Sequence, residues 1–327
     1  MCTWRDSYFE SVEFYKQSTH ILSSIQCPVN IFATYILLFK TPSSMSKVKF
    51  SMLVMHFTFV WLDVYLSILS IPYLLYSACL GRALGVLDYF QVPIPVQIYF
   101  GITSLLVTAV AVLLFFEERY NRLLRRDADT QSRFIKRIVY FAINYTVAFI
   151  DMLPIILNAD NSKNSREKVE STFPCIPASI VYSPDLYLLT ENRMTTALLL
   201  LGYMAFTSCQ ILFFFTSTLL YLFNTKSMSP KTSKMQKQLF KALCVQVTVP
   251  FVVVLVPCFY LNVSSALEHF DMIFINIALL ILQCHGLVST LTTLWVHKPY
   301  REATLNLILF KNYNLKVLPS IERIVTL

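Results

Sequence analysis

The feature that most constrains the fold is an apolar run, Met272–Val296, that contains no Asp, Glu, Lys or Arg. At about 1.5 Å of rise per residue, an α-helix of this length crosses the hydrocarbon core of a bilayer. The run is followed by His297-Lys298-Pro299-Tyr300-Arg301, where basic residues collect and a proline interrupts the helical hydrogen bonds. The pattern predicts a membrane-crossing helix that leaves the bilayer at His297.

The composition supports the same interpretation for the whole chain. Of the 327 residues, 56% are hydrophobic and only 14% are charged, whereas soluble domains carry about 25% charged residues. The formal net charge of +8 would fit nucleic-acid binding only on the basic face of a soluble module. Here the basic residues fall between apolar runs, so we expect an all-α integral membrane protein without a nucleic-acid partner.

Seven stretches are long and apolar enough to cross a membrane. The predicted spans are 20–39, 50–76, 95–116, 138–157, 195–223, 242–263 and 272–296. Residues 1–19 are predicted to form a short extracellular N-terminus without a cleavable signal peptide. In the tail, 297–327, Leu305, Ile308 and Leu309 recur at helical spacing and predict a short amphipathic helix on the membrane surface.

The basic residues of the loops predict the orientation. Loops one, three and five and the tail hold twenty Lys and Arg residues, whereas the N-terminus and the other loops hold seven. Cytoplasmic loops carry the excess of positive residues. We therefore predict a seven-helix bundle with its N-terminus outside the cell and its C-terminus in the cytoplasm.

Motifs along nearly the whole chain resemble one family, the nematode serpentine receptors of class H within the Str group of seven-transmembrane chemoreceptors. The matching segments include Lys40-Thr41-Pro42, Leu62-Asp63, Glu118-Arg119-Tyr120-Asn121, Pro174-Cys175-Ile176-Pro177, Thr232–Gln246, His285-Gly286-Leu287 and His297-Lys298-Pro299-Tyr300-Arg301. The last motif is the most specific. Two signatures of rhodopsin-like receptors are absent, Asn-Pro-x-x-Tyr in span seven and Cys-Trp-x-Pro in span six.

The resemblance implies a G-protein-coupled receptor used in chemosensation, including olfaction. It further implies a small-molecule ligand such as an odorant or pheromone, a heterotrimeric G protein as partner, and a plasma-membrane location in the sensory cilia of chemosensory neurons. It names neither the ligand nor the oligomeric state.

Asp63 stands near the middle of span two. A charged carboxylate at that depth costs about 2.5–3.5 kcal/mol on insertion scales, so we expect it to face the bundle interior. It is either a polar switch, paired with Asn276 or Gln283 of span seven or with Asn30 of span one, or a static interhelical contact.

The triplet Glu118-Arg119-Tyr120 at the inner end of span three looks like the acidic–Arg–aromatic triplet of rhodopsin-like receptors. In this interpretation Glu118 holds Arg119 until activation frees it for the G protein; alternatively, Arg119 is only part of the basic cytoplasmic collar. The expected G-protein surface is completed by Lys237, Lys241, Tyr300 and Arg301.

Polar and aromatic residues near the outer ends of the spans are candidates for ligand binding. Asp151 and Asp271 are able to bind a polar or cationic ligand, or else they cap helices. The remaining candidates are Tyr73, Tyr99, Tyr203, Tyr260 and Asn276, although tyrosines also form the aromatic belt at membrane interfaces.

Cys79 and Cys175 are predicted to form a disulfide on the outer side, where the compartment is oxidising. Apart from Cys2 near the N-terminus, they are the two cysteines in the outer loops. A bond between them would tether the long loop after span four.

No catalytic constellation, phosphate-binding loop or metal-ligand spacing is visible, so neither an enzyme activity nor a cofactor or metal is expected. The alternative from another functional class is a ligand-gated cation channel of the seven-span odorant receptor kind, which places its N-terminus inside. A secondary transporter is disfavoured because the spans show no internal repeat.

Overall fold

The computed structural model describes residues 2–42, 45–157, 162–190, 192–224 and 230–308, with backbone alone at 46–48, 230–241, 243 and 247. Within these ranges seven helices are long and apolar enough to cross a membrane, which confirms the predicted bundle. Leu309 and the rest of the predicted tail lie outside the described residues.

The helices are numbered α1 to α8 in chain order, and shorter helices are given by their ranges. They are α1 Val12–Phe39, α2 Ser46–Val64, α3 Ile94–Leu124, α4 Gln131–Ile150, α5 Arg193–Asn224, α6 Pro230–Ala266, α7 Met272–Val296 and α8 Lys298–Ile308. We call the end of the bundle where α1 begins the N-side and the opposite end, where α7 ends, the C-side. The surface of the bundle bears large apolar side chains such as Ile31, Leu220 and Trp295, as a surface in contact with lipid requires.

Among the residues that the structure describes, five short strands lie on the N-side of a mainly helical bundle. They are β1 Cys2–Thr3, β2 Pro72–Leu75, β3 Leu80–Ala83, β4 Tyr187–Leu188 and β5 Phe270–Asp271. β2, β3 and β4 form an antiparallel sheet, and β1 pairs with β5 in parallel. These small sheets cover the N-side of the bundle.

The predicted end of the second span is wrong. Helix α2 passes into one π-helical turn, Tyr65–Leu69, and the chain then becomes strand β2 instead of remaining helical to Tyr76. Ile71 has φ 44°, which ends helical geometry, and Pro72 follows without a main-chain donor. The apolar run 71–76 is therefore half of a hairpin.

Other helices also differ from the predicted spans. Helix α3 ends at Leu124, whereas α4 and α6 begin at Gln131 and Pro230, so these three helices extend past the predicted limits at 116, 138 and 242. Helix α1 begins at Val12, eight residues before the predicted start, because Ser11 caps it by accepting from the N–H of Phe14. Helix α7 is interrupted at Cys284, between segments Met272–Gln283 and His285–Val296.

Helix α3 has a central position and packs against α2, α4 and α5, while α6 packs against α5 and α7. This arrangement leaves a space inside the N-side half of the bundle, which the next section describes.

Candidate functional site

An apolar cavity lies between α2, α3, α5, α6 and α7, beneath the β2–β3 hairpin. The cavity has a volume of about 170 Å³. Its wall includes Leu105 and Ala109 of α3, Met204 of α5, Val254 of α6 and Leu282 of α7. Mainly apolar, concave sites with a few polar groups are the usual form of small-molecule sites.

Of the seven predicted ligand-binding residues, Tyr203 is the one that lines this cavity. Its hydroxyl donates to the carbonyl of Leu106 at 2.9 Å and so ties α5 to α3. The hydroxyl of Tyr73 donates to the carbonyl of Glu10, and that of Tyr99 to the carbonyl of Phe149. These two tyrosines have structural partners on the N-side.

The other ligand candidates also lie away from the cavity lining. The hydroxyl of Tyr260 and Oδ2 of Asp151 are buried atoms without a hydrogen-bond partner among the described residues. The amide of Asn276 donates to the carbonyl of Phe9 at 2.9 Å. Asp271 belongs to β5, and its carboxylate is already paired with a cationic side chain of the protein.

That cation is Arg5, which binds Asp271 through two hydrogen bonds. The guanidinium nitrogens Nη1 and Nη2 lie 3.0 Å and 2.6 Å from Oδ1 and Oδ2. These hydrogen bonds hold the pKa of Asp271 below its usual value. Glu10 supports the same segment by accepting from the N–H of Arg5 at 2.8 Å. The N-terminal segment is thus fastened to the start of α7.

The predicted disulfide between Cys79 and Cys175 is wrong, because Cys175 is bonded to Cys2. Pairing of β1 with β5 brings Cys2 to the long loop, with a Cα–Cα separation of 5.7 Å that suits a disulfide. Cys79 is a free thiol at the turn of the hairpin, and burial raises its pKa to about 11.

Asp63 is fully buried and contacts both α1 and α7. Its Oδ2 accepts from Nδ2 of Asn30 at 3.3 Å, and its Oδ1 accepts from the main-chain N–H of Gly286 at 3.2 Å. Thr290 completes the link by donating to Oδ1 of Asn30 at 2.9 Å. The predicted contact with Asn30 is therefore present.

The interruption of α7 explains why Gly286 has a free donor. In a continuous helix its N–H would donate to the carbonyl of Leu282. Here Nδ1 of His285 lies 2.8 Å from that carbonyl oxygen and 3.3 Å from Oδ1 of Asp63. The side chain of Asp63 then caps the second segment of α7 by accepting from a main-chain N–H that has no partner within the helix.

The predicted pairing of Asp63 with Asn276 or Gln283 is wrong. Asn276 contacts Phe9, near the N-side. Gln283 accepts from Thr19 at 3.1 Å and donates to the hydroxyl of Tyr15 at 2.8 Å. Since Gln283 stands one turn nearer the N-side than Gly286, its side chain holds α1 against α7 next to the contacts of Asp63.

On the C-side, the predicted contact of Glu118 with Arg119 is also wrong. Glu118 is paired with Arg122 and Arg137, because adjacent residues of a helix point in different directions whereas residues four apart are neighbours. Arg119 is 6% exposed, and its Nε and Nη2 have no hydrogen-bond partner among the described residues. Its guanidinium lies over the ring of Phe115, 5.3 Å from the ring centre.

Tyr120 and Tyr300, two other predicted signalling residues, are packed against neighbouring helices. Tyr120 contacts the ring of Phe214, with centroids 5.1 Å apart. Tyr300 of α8 is fully buried, and its hydroxyl lies 3.0 Å from Oγ1 of Thr41.

The last predicted residues of the signalling surface lie on α8 and α6. Arg301 donates to the carbonyl of Trp295 at 3.4 Å. Lys237 and Lys241 are residues of α6 for which the structure describes the backbone alone.

Three structural features of polar residues were not predicted from the sequence. Glu117, 1% exposed, pairs with Arg133 and Arg137 of α4. Nε2 of His297 lies 2.6 Å from Oε1 of Gln246 and joins α7 to α6. Gln97 lines the cavity. The sequence feature that could have identified it is a polar residue at the start of a charge-free apolar run.

No group of three His, Cys, Asp or Glu among the described residues is arranged to hold a metal ion.

Seven membrane-crossing helices around a mainly apolar cavity define a seven-helix membrane bundle. The family model described as "Serpentine type 7TM GPCR chemoreceptor Srh" matches residues 10–310, and the chain belongs to that family. It is 26% identical over 285 residues to "Serpentine receptor class H-72" of Caenorhabditis elegans, across 86% of this chain and 81% of that protein. The family resemblance is therefore confirmed. The protein is a multi-pass membrane protein of a chemoreceptor family, and that family is one of receptors, not of known enzymes.

Proposed function

We propose that this protein is a G-protein-coupled chemosensory receptor. A small molecule from outside the cell binds in the bundle cavity, and a heterotrimeric G protein is activated at the C-side. The observation that carries this proposal is the mainly apolar cavity among five of the seven helices. A ligand that fits one arrangement of these helices better than another shifts the population toward it.

Two independent features support an N-side that faces the cell exterior. One is the excess of basic residues in the loops of the opposite side. The other is the Cys2–Cys175 disulfide on the N-side, since such bonds persist in oxidising compartments. We propose that the protein lies in the plasma membrane, in the sensory cilia of chemosensory neurons. The channel alternative requires an intracellular N-terminus.

An epitope tag placed before Met1 tests this orientation. On intact cells we expect antibody to reach the tag without permeabilisation. Staining that needs permeabilised cells, at normal plasma-membrane level of the protein, would contradict the receptor orientation and favour the channel.

The C-side holds a group suited to a signalling role. Arg119 keeps a buried guanidinium with two unpaired nitrogens among the described residues, beside the contact between Gln246 and His297 that joins α6 to α7. Burial, with the nearby charge of Arg119, lowers the pKa of His297 to about 4, so its ring is neutral at physiological pH. Separation of α6 from α7 would break one neutral hydrogen bond and expose Arg119 to a G protein.

The cavity is tested by filling it in cells that report G-protein activation. After a ligand has been found by screening, Ala109→Phe, which places a ring in the cavity, is expected to abolish the response. The matched control is Ala205→Phe on the exposed face of α5, which is expected to respond normally. An unchanged response of Ala109→Phe at equal surface level would rule out the cavity as the ligand site.

Coupling is tested separately with Arg119→Ala. We expect the ligand still to raise the melting temperature of the purified variant, because the cavity is intact, while G-protein activation is lost. Preserved activation would exclude the proposed role of Arg119 and leave the ligand site standing.

A further inference from the structure

The wall of the cavity contains one polar atom that the fold leaves without a partner. Gln97 stands in the first turn of α3 and is 2% exposed. Its Oε1 is buried and has no hydrogen-bond partner among the described residues. A buried polar atom without a partner carries an uncompensated desolvation cost, so a ligand that supplies the partner gains that free energy.

The orientation of the Gln97 amide is fixed by its surroundings. Nε2 donates to the carbonyl of Val92 at 2.9 Å, and a flipped amide would place two acceptor oxygens against each other. The main chain of Gln97 is held as well, because its carbonyl accepts from the hydroxyl of Tyr65 at 2.6 Å. Oε1 is therefore an acceptor of fixed orientation that lacks a donor. In this arrangement the atom is closed to a water-sized sphere, so a ligand donor reaches it when the neighbouring side chains of the wall move apart.

The other hydroxyl and amide groups around the cavity that could recognise a ligand are mostly occupied within the protein. The hydroxyl of Tyr76 donates to Oδ1 of Asn262 at 3.1 Å, and Nδ2 of Asn262 donates to the carbonyl of Cys258. Oγ1 of Thr207 donates to the carbonyl of Tyr203 at 2.8 Å. Among the described residues of the wall, Gln97 is thus the one whose side chain most clearly lacks a hydrogen-bond partner.

The charges of the wall indicate a neutral ligand. No Asp or Glu is among the described residues that line the cavity, so a cation would be desolvated without a counter-charge. The charged residue of the lining, Arg82 of β3, lies 3.4 Å from Asp185 and is already paired.

We infer that the cavity selects an uncharged, mainly apolar small molecule whose hydroxyl or amide N–H donates a hydrogen bond to Oε1 of Gln97. This inference rests on the proposed function of the cavity. It adds the chemical class of the ligand and the residue that distinguishes that class from other apolar compounds.

The test uses sets of compounds that share one hydrocarbon skeleton and differ in a single terminal group, which is a hydroxyl, a methyl ether, a carboxylate or an amine. The panel contains such sets for straight-chain and cyclic skeletons of several sizes. Binding is measured as the rise in melting temperature of the full-length purified receptor, and activation by the cellular G-protein reporter. For the skeleton that fits best, the alcohol is expected to bind about tenfold to a hundredfold more tightly than its ether, which is the factor that an unmade buried hydrogen bond costs.

Gln97→Met, which keeps the length of the side chain and removes the acceptor, provides the second comparison. The advantage of the alcohol over the ether is expected to disappear, while the ether binds as it does to the wild type and so shows that the cavity is folded. The inference is overturned if no alcohol in the panel binds more tightly than its ether, or if the preference survives in Gln97→Met. A preference for carboxylates that Arg82→Gln removes would also overturn it.

The two proposals fail in distinguishable ways. Compounds that bind irrespective of a donor, and that Ala109→Phe excludes, contradict the inference about Gln97 and leave the cavity as the ligand site. Compounds that bind equally to wild type and Ala109→Phe contradict the proposed function itself.

Discussion

The main-chain nitrogen of Gly286 lies 3.2 Å from Oδ1 of Asp63, and a Cβ atom at position 286 would overlap that carboxylate. Close contact of α2 with the interruption in α7 therefore depends on a glycine. The motif His285-Gly286 supplies both parts of the contact, because His285 binds the Leu282 carbonyl while Gly286 turns its N–H toward Asp63.

Gly286→Ala is expected to lower the stability of the purified protein by about 1–3 kcal/mol, the usual cost of forcing an extra methyl group into a packed interior. The measurement is thermal unfolding in detergent. The matched control is Gly202→Ala on α5, where an added Cβ meets nothing within 4 Å; it is expected to be neutral or stabilising. Equal melting temperatures for the two variants would show that α2 and α7 are not in close contact here.

Asp63→Asn tests whether the buried carboxylate is a switch. An asparagine retains an oxygen that accepts from Gly286 but replaces the carboxyl group with an amide that cannot ionise, so we expect normal surface level with an altered equilibrium between receptor conformations. A change of about 1.4 kcal/mol in that equilibrium shifts ligand potency tenfold. Basal signalling and potency that both match the wild type would identify Asp63 as a static contact.

The membrane helices could be predicted from the sequence because lipid imposes a simple requirement, a long apolar run with its backbone bonded internally. The end of α2 could not, since residues 71–76 are as apolar as a membrane helix. What ends the helix is the positive φ of Ile71 and the pairing of β2 with β3, and pairing between strands depends on a partner segment outside the run.

The contacts of the polar residues could be predicted only in part. Burial of Asp63 against Asn30 follows from the cost of a carboxylate in lipid. That Glu118 does not hold Arg119 follows from helix geometry alone. By contrast, the pairing of Cys175 with Cys2 depends on the path of the N-terminal segment along β5, which no local pattern indicates.

The disulfide gives a prediction about the N-side. Digestion of the non-reduced protein is expected to yield one linked peptide pair containing Cys2 and Cys175, with Cys79 modified by alkylating agents only after unfolding. Cys2→Ser should lower stability by about 2–4 kcal/mol through loss of the cross-link, whereas Cys79→Ser should change it little. Recovery of a Cys79–Cys175 peptide from the native protein would disprove this pairing.

The pair of Arg5 and Asp271 predicts a dependence of stability on pH. Hydrogen bonds from Arg5 lower the pKa of Asp271 in the folded state. The contribution of the pair to the free energy of unfolding is therefore complete above the unfolded-state pKa of about 3.9. This contribution is lost as the pH falls through the lower pKa of the folded state. Melting temperature should therefore fall more steeply below about pH 4 in the wild type than in Arg5→Gln, which lacks the pair. Parallel profiles for the two proteins would mean that the pair does not persist in solution.

The buried carboxylate of Glu117 is expected to hold α4 against α3. Its oxygens lie 2.9 Å from Nη2 of Arg133 and 2.8 Å from Nε of Arg137. Glu117→Gln removes the negative charge from between two cations, and loss of one partner of a buried ion pair costs about 3–5 kcal/mol. Since both arginines retain some contact with solvent, the lower end of this range is expected, measured as a fall in melting temperature. The control is Asp127→Asn, which breaks the exposed pair with Arg125 and should cost less than about 1 kcal/mol. If the two variants lose the same stability, α4 is held by its apolar contacts and not by Glu117.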